Sequence, residues 1–165
     1  MKKKYILDVT CGTRSIWKNK NHPAVLYCDI RKEPKGFIKE KPNLEVCPDK
    51  IIDFRNLPFP DRSFKLIVFD PPQMKEGKAG KGCMLKMYGS LDRNSWESDL
   101  KKGFDECWRV LQDYGILIFK WNEISIKKEK VFELFDVRPL FGHVTNKSSK
   151  NTIWATYMKI PKSES

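Results

Sequence analysis

The sequence predicts an α/β fold: a doubly wound, mostly parallel sheet of seven strands, closed at one edge by a C-terminal antiparallel hairpin. Three observations predict it. Several short runs are apolar throughout, as in "LIVF" at 66–69, which suits strands buried on both faces. Those runs alternate with helices, the pattern of a mostly parallel sheet covered on both faces. The last two runs, at 136–144 and 151–160, are instead joined only by the polar turn "TNKSSK", which predicts a hairpin.

The elements follow in order. "KYILDV" opens the domain as strand one, "TCGTRS" is a turn, and "SIWKNK" is a brief helical or turn segment. "AVLYCDI" is a second strand ending at Asp29. "RKEPKGFIKEKPN" is broken by prolines and reads as a loop with at most one helical turn. "EVCPDKIIDF" carries a short third strand close to Asp53. "FKLIVFD" is the fourth strand, and it must stop at Asp70, because Pro71 and Pro72 cannot continue a central strand. Residues 74–95 form the longest irregular stretch, with four glycines and five Lys/Arg against two acids, and a loop of that length is functional or disordered. In "WESDLKKGFDECWRVL" the apolar residues Trp96, Leu100, Phe104, Cys107, Trp108 and Leu111 recur at helical spacing and predict one buried face. "YGILIFKW" is strand five and "IKKEKVFELF" a short amphipathic helix. One domain over 1–160 results, with 161–165 as a frayed tail.

The totals narrow the function classes. A chain of 165 residues that is 40% hydrophobic can bury one proper core. Its net charge of +11 attracts polyanions, so DNA or RNA is the leading partner class. The five cysteines form no CxxC pair, and the only histidines are His22 and His143, so neither a metal centre nor a disulfide framework is expected. Free thiols point to a reducing, cytoplasmic setting, and the apolar run after the first lysines is too short for a signal peptide or membrane span. Asp8, Asp29, Asp53 and Asp70 all stand at or near strand C-termini, the edge where open α/β sheets bind ligands.

Four stretches, "ILDVTCGTR", "VLYCDI", "IIDFRNLPFPDRSFKLIVFDPP" and "ECWRVLQDYGILIFKW", resemble the class I S-adenosylmethionine-dependent methyltransferases, from Ile6 to Lys159. The resemblance implies a Rossmann-like fold and S-adenosylmethionine as cofactor. It places Asp8, Thr10, Gly12 and Arg14 at the methionine end, Asp29 and Ile30 at the ribose, and Asp53 and Phe54 at the adenine. Arg14 stands where a second glycine is usual, and its guanidinium can reach a carboxylate or a phosphate.

"DPPQ" at 70–73 resembles the DPPY-type methyltransferases of adenine N6 and cytosine N4, with glutamine in place of the aromatic residue. That resemblance makes Asp70, Pro71, Pro72 and Gln73 the catalytic set, Asp70 also bordering the cofactor. An exocyclic amine is a poor nucleophile because its lone pair is delocalised. A carboxylate and a fixed carbonyl that each accept one N–H expose that lone pair, and positioning does the rest. Gln73 cannot stack on a base as a ring does; Tyr88, Trp96 or Trp121 can supply one from elsewhere. Lys78, Lys81 and Lys86 read as a basic flap over a phosphate backbone or as plain linker, and Lys120 as an active-edge residue or a solvated strand end. Without a recognition domain, target choice falls to the basic loop, a single-stranded target or a partner protein. A protein amide or small molecule as substrate, and a non-catalytic nucleic-acid-binding module, are the competing readings.

Overall fold

The computed structural model of the chain describes residues 3–75, 83–144 and 151–161. Its centre is a seven-stranded sheet formed by β1 (Ile6–Asp8), β2 (Val25–Asp29), β3 (Lys50–Ile51), β4 (Phe64–Phe69), β5 (Leu111–Asn122), β6 (Phe141–Val144) and β7 (Thr152–Met158). The strand order is β3-β2-β1-β4-β5-β7-β6. The first five are parallel; β7 runs antiparallel to β5, and β6 to β7. The order reverses beside β1 and β4, so the crevice at their C-terminal ends is the expected ligand edge.

Among the described residues three helices accompany the sheet: α1 (Cys83–Tyr88), α2 (Trp96–Val110) and α3 (Lys128–Phe132). The face of α2 made by Trp96, Leu100, Phe104, Cys107 and Val110 packs with Leu7, Ile67, Phe69, Leu117, Phe119 and Tyr157 in the main core, which Val131 and Phe135 from the α3 region complete. Stacked Phe104 and Phe135 rings, with centroids 4.0 Å apart, seal α2 against that region. Gly103 permits the close approach, because a Cβ there would run into the Phe54 ring and stand 2.8 Å from Phe69 Cζ.

The opposite face is covered by turns. No helix lies in 9–24 or 30–49, where Gly12 (φ 48°), Arg14 (φ 53°) and Pro34, Gly36 and Pro42 interrupt helical backbone. The segment "SIWKNK" therefore resolves as turns, and Trp17 covers Val25 and Tyr27 there. Further along this face, Ile116, Ile118, Trp154 and Met158 remain only partly buried, alternating with the buried residues of β5 and β7.

Two expectations change. The stretch 74–95 is not wholly irregular: Met84, Leu85, Lys86 and Met87 are good helix formers and make α1, which Gly89 (φ 73°) ends as its N–H donates to the Leu85 carbonyl. Strand β5 begins at Leu111 rather than Tyr114, with a bulge between the Phe64–Leu111 and Leu66–Ile116 pairs. Tyr114 there adopts φ 59°, and a Cβ on Gly115 would stand 2.7 Å from Leu111 Cδ1. Of the tail at 161–165, residues 162–165 lie outside the described residues.

Candidate active site

A cleft of about 570 Å³, counted to its mouth, opens at the C-terminal ends of β1, β2 and β4. Its lining includes Thr10, Gly12, Asp29, Ile30, Phe54, Asp70, Pro72 and Tyr88, all singled out from the sequence, together with Ile16, Arg31 and Met87. The two stretches that carry the resemblance most specifically are tied together below it. Arg109 donates to the Leu57 and Phe59 carbonyls, and Glu106 accepts from the Leu57 N–H. This clamp fixes the 57–59 turn, and Gly103 sets Phe54 against α2.

Asp8 is 1% exposed and anchors the first turn, accepting from the Trp17 indole at 2.6 Å and from the Thr10 N–H at 3.2 Å. Burial pushes its carboxyl up to about 7; those two bonds oppose the rise, and Asp70 and Asp29 add to it. Thr10 in turn accepts from the Asp70 N–H at 2.9 Å, locking β1 to the end of β4. Asp29 accepts from the Gly12 N–H at 2.9 Å through one oxygen and from the Arg31 N–H at 2.9 Å through the other. Arg31 Nε takes the second position on that other oxygen, so the oxygen facing Gly12 is the one that keeps acceptor capacity for a ligand.

The register brings Asp70 and Lys120 together. Phe69 pairs with Phe119, so the next residues stand level, and Lys120 Nζ donates to Asp70 Oδ2 at 2.6 Å. Gln73 Nε2 donates to Asp70 Oδ1 at 2.7 Å. The Asp70 side chain is 12% exposed and that of Lys120 17%. Burial raises the Asp70 pKa and the Lys120 ammonium pulls it back down.

Other residues fall elsewhere. Arg14 turns away from the cleft: it donates to the Lys20 and Cys47 carbonyls and its guanidinium lies 3.9 Å from the Tyr27 ring centroid, so its cation serves the second turn layer. Asp53 is engaged by Arg55, whose Nε and Nη2 both reach its carboxylate and hold its pKa down, while Nη1 reaches Asp99. Trp121 is fully buried and donates to the Ile126 carbonyl, which removes it as a stacking ring. Trp96 is buried beneath Lys75. Among the three aromatic candidates only Tyr88 lines the cleft. Lys86 is exposed on α1, whereas Lys78 and Lys81 lie outside the described residues. Lys120 is no solvated strand end but an ion-pair partner.

The sequence reading missed Arg31. It reaches the Asp29 carboxylate and donates to the Lys86 and Met87 carbonyls, tying α1 to the end of β2. A basic residue two positions beyond the ribose-end acid was the only signal, and its partners in α1 lie more than fifty residues away. Burial pushes the Cys28 thiol up to about 12, so it is no nucleophile at neutral pH. Among the described residues no cluster of three or more His, Cys, Asp or Glu can hold a metal ion, and no helix is long and apolar enough to cross a membrane.

No protein-family model matches the chain, and no curated protein is similar to it in sequence. Solved structures do match. An S-adenosylmethionine-dependent methyltransferase from Methanosarcina mazei is similar with a TM-score of 0.59 at 14% identity, covering 97% of this chain and 94% of that one. A protein from Pyrococcus horikoshii OT3 gives 0.59 at 16% identity, over 96% and 82% of the two chains. The N-methyltransferase NodS from Bradyrhizobium japonicum gives 0.56 at 11% identity, over 96% and 86%. With strand order, reversed β7 and acid-lined cleft already in place, these likenesses settle the architecture: the chain has the Rossmann-like fold of the class I S-adenosylmethionine-dependent methyltransferases.

Proposed function

We propose that the chain is an S-adenosylmethionine-dependent methyltransferase acting on an exocyclic amino nitrogen of a nucleic acid base, adenine or cytosine. One observation carries the reading: a nearly buried carboxylate, Asp70, stands at the cleft edge of β4 and is followed at once by two prolines. The cleft fits the cofactor. Nothing lies within 4 Å of the position a Cβ on Gly12 would take, so its backbone faces open space. Asp29 has acceptor capacity for ribose hydroxyls, and Ile30 and Phe54 offer apolar sides to the adenine.

When bound, the cofactor supplies an electrophilic methyl group on a sulfonium sulfur. The chain's part is to present the nitrogen. Asp70 accepts one amino N–H and the Pro71 carbonyl the other, which turns the nitrogen lone pair out of conjugation. The prolines hold both acceptors stiffly, so the acceptor geometry exists before substrate arrives. Once methylated, the nitrogen would carry one proton too many, and Asp70, already accepting from that nitrogen, would pass it to solvent. A base within a duplex must first leave the stack. The +11 charge supports a polyanionic substrate.

Gln73 in place of a ring supports a second reading, methylation of a protein side-chain amide, whose planar NH₂ has the same delocalised lone pair. The test offers labelled S-adenosylmethionine with duplex DNA, single-stranded DNA, total RNA and a protein extract in parallel, with Asp70→Ala as control. Label recovered as N-methylated adenine or cytosine, and lost in the variant, is the expected result. Label in protein alone moves the substrate to the amide, and label nowhere overturns both readings.

A further inference from the structure

Asp70 is held at both ends. Lys120 Nζ meets Oδ2 at 2.6 Å and Gln73 Nε2 meets Oδ1 at 2.7 Å. Neither partner arrives by accident of a mobile surface. Lys120 lies inside β5, directly opposite Trp154 of β7, and its ammonium stands 5.7 Å from that ring's centroid. Gln73 is folded back by Pro71 and Pro72, which leave the fourth residue of the turn few ways to go. A carboxylate has about four acceptor sites, so two bonds fix its rotation and still leave one acceptor position on each oxygen. The Gln73 amide is thus aimed at Asp70 rather than out towards a substrate.

We propose that Lys120 and Gln73 are positioning residues that clamp the Asp70 carboxylate, ionised and fixed in rotation, as the acceptor for the substrate amino group. The proposal rests on the reading of Asp70 as that acceptor. It also gives Gln73 a task, since its amide N–H is what holds Oδ1 of the carboxylate. A neutral carboxylic acid accepts an N–H poorly, and this carboxyl sits where water is scarce. The charged groups facing it are Lys120 from β5 and Asp8 from β1, with Asp29 of β2 beside Asp8. Lys120 is the one cation facing Asp70 among the described residues. Burial alone drives Asp70 towards its neutral form, and Lys120 counters it.

The test uses Lys120→Met, Lys120→Arg and Gln73→Leu in the full chain, with two readouts. The first is the pH profile of kcat for methyl transfer. The second is the carboxyl titration of Asp70 by NMR in protein labelled at aspartate carboxyl carbons, the resonance being assigned with Asp70→Asn. In Lys120→Met the Asp70 midpoint and the acid limb of kcat both move up by roughly one pH unit or more, and activity recovers at alkaline pH. Lys120→Arg restores both towards the wild type. Gln73→Leu lowers kcat about tenfold with KM unchanged, as expected for a residue that orients an acceptor without touching substrate. An unmoved carboxyl midpoint in Lys120→Met overturns the clamp, and so does a Gln73→Leu effect confined to KM. If Lys120→Met does not fold, Lys120→Arg and Gln73→Leu decide by the same two readouts. Absence of transfer by the wild type on every nucleic acid would overturn the substrate reading alone, because the carboxyl titration still decides the clamp.

Discussion

Asp8→Asn tests the electrostatics of the cleft without any ligand. The Asp8 carboxyl is 1% exposed and titrates at about 7 in the folded chain, against 3.8 for a free side chain. Burial is the main cause, and the Trp17 and Thr10 bonds recover only part of it. A displacement of that size is worth on the order of 4 kcal/mol between the two protonation states. The sign follows from proton counting. Between pH 4 and 7 the folded chain holds a proton on Asp8 that the unfolded chain has lost, so stability falls as pH rises across that window. The penalty is absent below the unfolded value and complete above the folded one. Urea unfolding of the wild type and Asp8→Asn, repeated at intervals from pH 4 to pH 8, isolates this group, because the other titrations largely cancel in the difference. The wild type should lose up to about 4 kcal/mol relative to the variant across the series. A difference that stays flat within about 0.5 kcal/mol would refute the assignment of a high carboxyl pKa to the first turn.

Three further predictions concern the frame around the cleft. Gly103→Val forces two methyl groups into the Phe54 and Phe69 rings and should cost about 1–3 kcal/mol in chemical denaturation, with a matching loss of ligand affinity as Phe54 shifts. Arg109→Ala strips donors from the Leu57 and Phe59 carbonyls and leaves Glu106 without its cation; a loss of about 2–3 kcal/mol is expected, larger than for an exposed ion pair, and a loss under about 0.5 kcal/mol would show the clamp to be superficial. Trp121→Phe removes the donor to the Ile126 carbonyl and should cost about 1–3 kcal/mol of stability while leaving S-adenosylmethionine affinity unchanged, since no part of that ring reaches the surface.

The strands were legible because burial on both faces writes itself as unbroken apolar runs, and Asp70 was legible because two prolines allow a central strand no other ending. The acids at the strand ends followed from the same logic, and the structure lines the cleft with two of them, Asp29 and Asp70. What escaped the sequence was long-range pairing. Arg55 draws Asp53 aside, Arg14 settles over Tyr27, and Arg31 crosses to α1; each depends on partners that no local pattern announces. Trp121 and Lys120 show the same limit from the strand side. They are neighbours in β5 with opposite faces, so alternation puts one wholly in the core and the other against Asp70, and which face held the helices was not written in the strand itself. Helix α1 was hidden for a different reason: six residues of good propensity beside a glycine-rich run carry too little periodicity to be read.

Calorimetric titration of S-adenosylmethionine into the wild type and Asp29→Ala decides whether the cleft at β1, β2 and β4 is the cofactor site. Saturable binding at one site per chain is expected in the wild type, and at least a tenfold weaker affinity, roughly 1.4 kcal/mol, in a variant that still folds. Equal binding by the two proteins would place the cofactor elsewhere, and no binding by the wild type would show that the cleft holds no S-adenosylmethionine.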